Sequence, residues 1–524
     1  MRGRKTRPPR HYPYEMSLFR TRSAAVFGIE GRPVDIEVDL YPSPAMAPRE
    51  MVLVGMPDTA VKESRERIKS ALMNSGFGFP SKSLTINLAP ANVRKEGAGF
   101  DLPVALAILG AMGTVRGAGE HLLAGELGLD GGLRPIRGAL SIAVCAQRQG
   151  LKGLIVPKEN AAEAAVVEGL SVYGLGNLSE VVQLLNKPEA FRPHAPAAGQ
   201  AYSPGSSLDL DFIDVRGQAA TKRALEVAAA GGHNVLMVGP PGSGKTMLAK
   251  RLAGILPPLS FTEALETTQV HSVAGALDRG AGLIGVRPFR APHHTISDAG
   301  LLGGGTGMPR PGEVSLAHHG VLFLDELPEF PRNVLELLRQ PLEEGTVTIA
   351  RAQMTLSFPA NFMLVAAMNP CKCGFHGDPT RECRCTGAQI AQYLGKISGP
   401  LLDRIDLHVE VPAVPFQELR TKAAGASSAN MRARVLAARE RQAARGFINA
   451  EIPASQIRKI CPLDDSGERT LELAVRRMGF SARAHDRILK VARTIADLAQ
   501  SENIAAKHVA EAVQYRSLDR SYWG

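Results

Sequence analysis

Eight consecutive residues, 239–246, read GPPGSGKT and directly follow the apolar run NVLMV. Their three glycines let backbone N–H groups converge on an anion where a Cβ would obstruct them. Lys245 offers a point charge for nucleotide phosphates, and the Thr246 hydroxyl offers a ligand for Mg²⁺. A predicted helix, MLAKRLAGIL, follows and directs its positive end at the same anion. This context predicts an ATP–Mg²⁺ site. Its loop residues are Gly239, Pro240, Pro241, Gly242, Ser243, Gly244, Lys245 and Thr246.

Two further apolar runs end on polar residues that suit phosphoryl transfer. VLFLDE places Asp325 and Glu326 directly after a predicted buried strand. Asp325 is expected to hold Mg²⁺ together with Thr246, and Glu326 to polarise the attacking water. VAAMNPC ends another strand at Asn369, which is placed to contact the γ-phosphate or its water. Together with Lys245, these residues predict ATP hydrolysis.

Two arginines are candidates for sensing nucleotide. Arg404 lies in GPLLDRIDLHVEV, in a short helix-like turn before a strand. A guanidinium group there suits an arginine finger offered to the ATP of a neighbouring subunit, and a surface ion pair is the alternative. Arg483, in GFSARAHDRIL, is a candidate second arginine sensor. A finger that acts in trans requires an oligomer, so we expect a ring of like subunits.

Four of the six cysteines are crowded into residues 371–385, in the pattern C-x-C-x9-C-x-C. Four thiolates are the right number for a closed tetrahedral Zn²⁺ site, although C-x2-C spacing is more usual. Free thiols or disulfides are the alternatives, and a reducing compartment disfavours disulfides. The predicted zinc ligands are Cys371, Cys373, Cys383 and Cys385.

The composition constrains partners and location. No apolar run reaches about eighteen residues, so no membrane span is expected. The N-terminus has no apolar segment behind its basic residues, so we expect no secretory signal and a cytoplasmic protein. The net charge of +10 favours a polyanionic partner, although the first fifteen residues, with five basic residues against Glu15, contribute +4 of it.

A chain of 524 residues is expected to form several domains. A stretch rich in Pro, Ala, Gly and Ser predicts a linker, and alternating strand and helix patterns after it predict a parallel three-layer α/β sheet. From about residue 412 the pattern is helical and predicts a lid. The predicted segments are a disordered basic tail (1–16), an α/β domain (17–187), the linker (188–208), a nucleotide-binding core (209–411) that contains the cysteine insertion, and the helical lid (412–524).

These motifs together resemble those of the AAA+ superfamily, and more narrowly the magnesium chelatase-like branch of the bacterial competence ComM/YifB type. The resemblance is carried by RPFRAPHHTIS, GEVSLAHHGVLFLDELPEF, NPCKCG and SGPLLDRIDLHVEVP. The first domain is similar to that family's Lon-protease-like module, in SLFRTRSAAVFGIEG and LAPANVRKEGAGFDLPVALAIL. The resemblance covers about residues 16–515.

The resemblance implies a hexameric ATPase that acts on DNA. Members of the ComM type are understood as helicases that promote branch migration during natural transformation. Two alternatives remain open at this point. One is a chelatase-type motor that serves metal insertion into a tetrapyrrole, and the other is an ATP-driven protein-remodelling subunit that does not act on DNA.

The first domain lacks the residues of a Lon-type protease, which needs a serine activated by a lysine. The segment that resembles the serine-bearing loop, KEGAGFDLP (95–103), contains no serine. The segment that resembles the lysine-bearing one, GGLRPIRGAL, offers Arg134 and Arg137 instead, and arginine cannot act as a base. We therefore predict a non-proteolytic scaffold.

Two insertions could contact DNA. Residues 343–362 predict a β-hairpin with Arg351 near its tip, and residues 287–313 form a Gly-rich loop that contains Arg287 and Arg290. In related AAA+ motors hairpins at these places enter the central pore, where cations could follow the phosphate backbone. A solvated charge is the alternative for each residue.

Overall fold

The computed structural model describes residues 18–42, 50–195, 210–305, 307–351, 354–378, 381–414 and 426–523. The predicted basic tail and residues 196–208 of the predicted linker lie outside these ranges. The chain divides into two compact units, residues 1–200 with 272–283, and residues 201–271 with 284–524. The segment 272–283 thus belongs to the first unit, although it lies within the range 209–411 that the sequence assigns to the core.

The first unit is built on a mixed seven-stranded sheet with the order β3-β4-β2-β1-β5-β8-β9. The pairs β1–β2 and β2–β4 are antiparallel, and β1–β5, β5–β8, β8–β9 and β3–β4 are parallel. Its strands are β1 (Phe19–Phe27), β2 (Glu30–Tyr41), β3 (Met51–Val54), β4 (Ser83–Ala89), β5 (His121–Leu123), β8 (Gly153–Pro157) and β9 (Ser171–Leu175), and β6 (Glu126–Leu127) pairs with β7 (Leu133–Arg134).

Helices cover this sheet because their apolar residues face it. They are α1 (Thr59–Asn74), α2 (Asp101–Ala111), α3 (Ala139–Arg148), α4 (Ala161–Ala164) and α5 (Leu178–Asn186). α2 is apolar on all sides, and its residues from Asp101 to Leu109 are all buried, as expected of a central core helix. α1 has one buried stripe, which includes Val61, Ile68 and Leu72, and begins at Asp58, whose carboxylate accepts the Val61 N–H at 2.7 Å.

The second unit contains a five-stranded, wholly parallel sheet with the order β11-β14-β17-β10-β18. Its strands are β10 (Val235–Val238), β11 (Phe289–Arg290), β14 (Val321–Leu324), β17 (Met363–Met368) and β18 (Leu407–Glu410). β10, β14 and β17 are buried at every position, because helices cover both faces of a parallel sheet. The predicted α/β class with a parallel three-layer sheet is therefore confirmed.

Two small hairpins extend from this sheet. They are β12 (Gly303–Gly304) with β13 (Arg310–Pro311), and β15 (Thr346–Arg351) with β16 (Met354–Pro359). The predicted hairpin within residues 343–362 is thus present. The helices around the sheet are α6 (Ala219–Gly231), α7 (Lys245–Ile255), α8 (Phe261–Ala274), α9 (Asp298–Leu302), α10 (Glu313–Leu316), α11 (Arg332–Leu337), α12 (Arg339–Glu344), α13 (Gly387–Leu394) and α14 (Gly399–Leu402).

The C-terminal region is helical, as predicted. Its α-helices are α15 (Ser428–Arg445), α16 (Ala454–Ile460), α17 (Asp465–Met478), α18 (Ala482–Leu498), α19 (Ala506–Gln514) and α20 (Leu518–Trp523). Val435 of α15 and Ile488 of α18 belong to the same buried cluster as Val235 and Leu407 of the sheet. The helical region and one face of the sheet therefore share a core. Within the described ranges, no helix is both long and apolar enough to cross a membrane.

Candidate active site

The predicted phosphate loop follows β10 at the carboxyl edge of the parallel sheet. A Cβ on Gly239 would lie 2.1 Å from the Val411 carbonyl oxygen, so only glycine allows the backbone this close approach. Gly242 and Gly244 have φ values of +78° and +88°, which other residues rarely adopt. Gly244 then begins α7, whose free N–H groups face the loop. The loop therefore has the backbone shape that binds an anion.

Lys245 is held at the centre of this loop. Its ammonium group donates hydrogen bonds to the Gly239 and Pro240 carbonyls at 2.8 and 2.9 Å, and lies 3.3 Å from Asn369 Oδ1. The side chain is buried, and this burial lowers its pKa, while the nearby Asp325 carboxylate acts in the opposite direction. A phosphate anion would restore charge compensation at this position.

Asp325 and Glu326 follow β14 on the neighbouring side of the same edge. The Thr246 hydroxyl donates to Asp325 Oδ2 at 2.6 Å, so the two predicted Mg²⁺ ligands meet. Glu326 has a φ of +53°, and its N–H donates to Asp325 Oδ1 at 2.9 Å. This left-handed conformation turns the two consecutive carboxylates in different directions. Asp325 accepts the hydrogen bond of the Thr246 hydroxyl, whereas the Glu326 side chain is half exposed.

His294 contacts the predicted catalytic glutamate, a contact that was not predicted from the sequence. Its Nδ1 lies 3.3 Å from Glu326 Oε2, and its ring packs against the His293 ring at a tilt of 34°, with centroids 4.0 Å apart. His294 follows β11, which is paired with β14, so the two side chains leave the sheet from adjacent strands. The adjacent histidines in RPFRAPHHTIS were the one feature of the sequence that indicated a functional residue here. The contact itself could not be predicted, because the pairing of β11 with β14 is not evident from the sequence.

Gln218 is a second residue that sequence reasoning missed. It precedes α6 with a φ of +54°, and its side-chain amide donates to the Ser243 carbonyl of the phosphate loop at 2.7 Å. The same amide nitrogen lies 3.2 Å from the Pro412 carbonyl. Gln218 therefore connects the loop to the segment after β18. Its one signal was an unusual residue, a glutamine after glycine, at the start of a helix.

Arg404 and Arg483 lie at the opposite, amino edge of the sheet. Arg404 follows α14 and precedes β18, and its backbone carbonyl accepts a hydrogen bond from Asn234, the residue before β10, at 2.9 Å. A four-residue strand spans about 13 Å, which separates this edge from the phosphate loop. Arg483 is 72% exposed and lies 4.0 Å from Asp403. Neither arginine is hydrogen-bonded to the phosphate loop of its own chain in the described structure.

The four predicted zinc ligands come together beside the phosphate loop. The Sγ atoms of Cys371, Cys373 and Cys383 are separated by 3.3, 3.7 and 3.6 Å, and those of all four cysteines lie within 4.8 Å of one another. Tetrahedral Zn²⁺ with Zn–S bonds near 2.3 Å separates its sulfurs by about 3.8 Å, so the cluster is compatible with zinc. Gly374 lies against Pro241, since a Cβ on it would be 2.5 Å from Pro241 Cδ.

The three predicted DNA-contacting arginines differ in their surroundings. Arg287 donates to the Pro257 and His319 carbonyls at 2.6 Å and pairs with Glu263 at 3.0 Å, with its side chain 15% exposed. Arg290 forms two 2.6 Å hydrogen bonds to the Glu313 carboxylate. Carboxylates thus already compensate these two charges. Arg351 is exposed, and it donates to backbone carbonyls of Gly305 and Gly307.

The structure also brings together Glu266, His318 and His319, whose ligand-type atoms lie within 4.8 Å of one another. His318 Nδ1 accepts the Asn361 N–H at 3.1 Å, so in the neutral ring Nε2 carries the proton and faces Glu266 at 3.4 Å. A protonated nitrogen cannot bind a metal. This cluster is therefore a hydrogen-bonded charge network, in which His319 Nε2 also contacts Glu266 at 2.8 Å.

In the first unit, the segment compared with the serine-bearing loop contains a buried lysine. The Lys95 ammonium group donates to the carbonyls of Gly55, Leu88 and Pro90, at 2.9 and 2.7 Å for the first two. Desolvation lowers its pKa. These carbonyls come from two parts of the chain, residue 55 and residues 88–90, so Lys95 holds the two together. Arg134, in the other compared segment, lies 3.7 Å from Glu126.

A phosphate loop and acidic residues at the carboxyl edge of a parallel sheet, with a helical region packed on that sheet, define a P-loop nucleotide-binding protein of the AAA+ class. Comparison with protein families agrees with this. The family described as magnesium chelatase, subunit ChlI, matches residues 211–419, subunit ChlI of Mg-chelatase matches residues 36–160, and the ChlI C-terminal family matches residues 425–516.

Relatives that match nearly the whole chain show to which branch of this family the protein belongs. The chain is 45% identical to the uncharacterized protein YifB of Salmonella typhimurium, over 96% of this chain and 98% of that protein. It is 45% identical to the competence protein ComM of Haemophilus influenzae, with the same coverage. The magnesium-chelatase 67 kDa subunit of Chlorobaculum parvum is 26% identical over 40% of this chain and 28% of that protein. The chain belongs to the magnesium chelatase-like AAA+ family that contains YifB and ComM, and this membership implies ATPase activity.

The His318 network predicts a specific sensitivity to acid. Burial lowers the pKa of His318 to about 4, so between this value and its ordinary 6.5 only the unfolded chain binds the proton. Stability contributed by the neutral ring is therefore present above the unfolded pKa and lost as the pH falls. From about pH 7.5 to about pH 5.5, the wild type should lose about 1 kcal/mol more than His318→Asn, which retains an acceptor for the Asn361 N–H.

Urea unfolding at the two pH values measures this difference. His485→Asn is the control, because His485 is 42% exposed and lies outside this network. If the free energy of unfolding of the wild type and of His318→Asn fell by the same amount between the two pH values, the His318 ring could not be neutral and buried as described.

Proposed function

We propose that this protein is an ATP-driven DNA motor, a hexameric ring helicase that promotes branch migration in recombination or natural transformation. One observation carries the proposal. The groups that suit ATP binding and hydrolysis leave the carboxyl edge of the sheet, whereas Arg404 lies at its amino edge. A site that uses all of them therefore requires two subunits, which is the geometry of a ring motor. The competence name of the Haemophilus influenzae relative supports DNA as the substrate.

In this proposal each residue has one task. Lys245 exchanges its carbonyl partners for the β- and γ-phosphates. Thr246 and Asp325 would hold Mg²⁺, which would supply positive charge to those phosphates. Glu326 accepts a proton from the water that attacks the γ-phosphorus, and Asn369 orients that water or the phosphate. The bond to the β-phosphate oxygen then breaks, which releases ADP and phosphate.

The arginines serve the neighbouring subunit. Arg404 donates to the γ-phosphate across the interface and stabilises the charge that develops there, while Arg483 senses the same nucleotide from the helical region. Arg483 and Arg404 line the same cleft, so a single bound nucleotide is within reach of both. For DNA contact, the proposal relies on Arg351 of the β15–β16 hairpin, because Arg287 and Arg290 are paired with carboxylates.

Steady-state ATP hydrolysis with no DNA, single strands, duplex and a four-way junction tests the proposal. We expect DNA to stimulate hydrolysis, and Glu326→Gln to lower the rate by about 10²-fold or more with nucleotide binding retained, because the amide cannot accept a proton. Glu329→Gln is the matched control, since Glu329 is a nearby exposed glutamate that contacts Lys396. Hydrolysis that no DNA changes would contradict the helicase proposal and favour a chelatase-type or protein-remodelling role.

Complementation between two inactive variants tests the action in trans. We expect Lys245→Ala and Arg404→Ala to be inactive alone, and their mixture to recover part of the activity, because some interfaces then join an intact Lys245 to an intact Arg404. Arg339→Ala, which removes a surface pair with Glu336, should remain active alone. A mixture without activity would mean that Arg404 acts in its own subunit or only supports the fold.

We further propose that the four cysteines bind one Zn²⁺, which holds Gly374 against Pro241 of the phosphate loop. Metal analysis should find one zinc per chain in the wild type and none in Cys383→Ser, with Cys461→Ala as the control that retains it. Removal of zinc should raise the KM for ATP, because the loop loses its support on this side. A wild type without zinc, or a zinc-free protein with unchanged kinetics, would contradict this assignment.

A further inference from the structure

Arg404 is held by a partner that lies far along the chain. Its Nη2 donates to the Glu343 carboxylate, and its Nη1 donates to the Pro400 carbonyl at 2.7 Å. The Nε atom is buried and has no hydrogen-bond partner among the described residues. The arginine side chain is 11% exposed, whereas that of Glu343 is 63% exposed. The guanidinium group is thus held by one solvated carboxylate and one carbonyl of its own turn.

The contact lies in an open cleft of about 540 Å³ at the amino edge of the sheet. Arg483 approaches Asp403 at 4.0 Å in this cleft, and Arg487 pairs with Asp406. The hydrogen bond and charge of Arg404, followed by the charges of Arg483 and Arg339, hold the pKa of Glu343 below its usual range. Glu343 is therefore an anion in a cationic environment, in the position where an incoming phosphate would compete with it.

Glu343 also lies at the base of the β15–β16 hairpin. It is in the last turn of α12, which ends at Glu344, and Gly345 continues directly into β15 with a φ of +64°. The Gly345 carbonyl accepts the N–H of Ala360 at 2.8 Å, on the other side of the hairpin. Val347 and Phe358 are paired and buried above it. A shift of the last turn of α12 is therefore passed to the hairpin without a flexible linker.

A phosphate is a stronger partner for Arg404 than this carboxylate. A γ-phosphate carries more charge and can accept two hydrogen bonds from one guanidinium group. The Glu343 carboxylate is mostly solvated, so its pair with Arg404 is a weak surface-type ion pair. Both anions bind the same guanidinium group, and a single arginine cannot satisfy them fully at once.

We propose that Glu343 holds Arg404 at rest, that the nucleotide of the neighbouring subunit displaces it, and that this exchange transmits the neighbour's nucleotide state to the hairpin. The inference rests on the proposed function, because it requires ATP in a neighbouring subunit and a hairpin that contacts DNA. Glu343 is thus a positioning residue. When the neighbouring subunit has no nucleotide, Glu343 fixes Arg404 and the base of the hairpin. When that subunit binds ATP, Glu343 loses Arg404 as its partner, and both Arg404 and the base of the hairpin can move.

Glu343→Gln tests this coupling, because it removes the charge and retains the shape. We expect ATP hydrolysis without DNA to rise by about two- to fivefold, the range that corresponds to the loss of one ion pair whose carboxylate is largely solvated. The stimulation by DNA should fall towards onefold, since the hairpin and Arg404 are no longer connected. Glu343→Asp retains the charge and should recover part of the stimulation. A merely structural role would change thermal stability but not the ratio of the rates with and without DNA.

Glu344→Gln is the matched control. Glu344 is the next residue of the same helix and accepts a hydrogen bond from Gln340 at 2.8 Å, so its substitution should leave both rates unchanged. A wild type stimulated by DNA, together with Glu343→Gln that is stimulated equally, would overturn the coupling and leave the proposed function intact. A wild type that DNA does not stimulate would overturn both. A loss of basal hydrolysis in Glu343→Gln would also overturn the coupling, because Glu343 would then support Arg404 rather than restrain it.

Discussion

The parallel hydrogen bonding of β10 between β17 and β18 is the constraint on which the rest of the second unit depends. Because the five strands run in one direction, each delivers the residue after it to the same edge. The phosphate loop follows β10, Asp325 and Glu326 follow β14, and Asn369 follows β17. At this edge the backbone of Gly239 lies so near the Val411 carbonyl that a side chain would not fit, so this position requires glycine.

The same constraint divides the machinery between two edges. Residues that precede strands emerge at the amino edge, where Asn234 joins Arg404 to the core by a hydrogen bond from its side chain. An arginine at that edge cannot reach the phosphates that the carboxyl edge holds in its own chain. Communication between subunits then depends on which structural elements contact the residues at each edge. At the amino edge, the ion pair between Arg404 and Glu343 connects Arg404 to the base of the β15–β16 hairpin.

The cysteine loop and the phosphate loop support each other across a short contact. Gly374 adopts a φ of +88° and lies against Pro241, and Cys371 comes two residues after Asn369. A rigid cluster at this point would limit the movement of both the loop and the strand end. A metal centre of this kind would therefore have a mechanical role beside the site rather than a chemical one within it.

Local spacing, or a glycine that the backbone requires, was enough to predict the phosphate loop, the Asp325–Glu326 pair, the hairpin at 346–359 and the helical region. The tertiary structure was needed to show that His294 contacts Glu326, that Gln218 contacts the phosphate loop and that carboxylates pair with Arg287 and Arg290. It also decided that Glu343 contacts Arg404. The physical reason is the order of the strands and helices in space: these partners lie from 23 to 61 residues apart, and spacing along a chain does not encode which elements become neighbours.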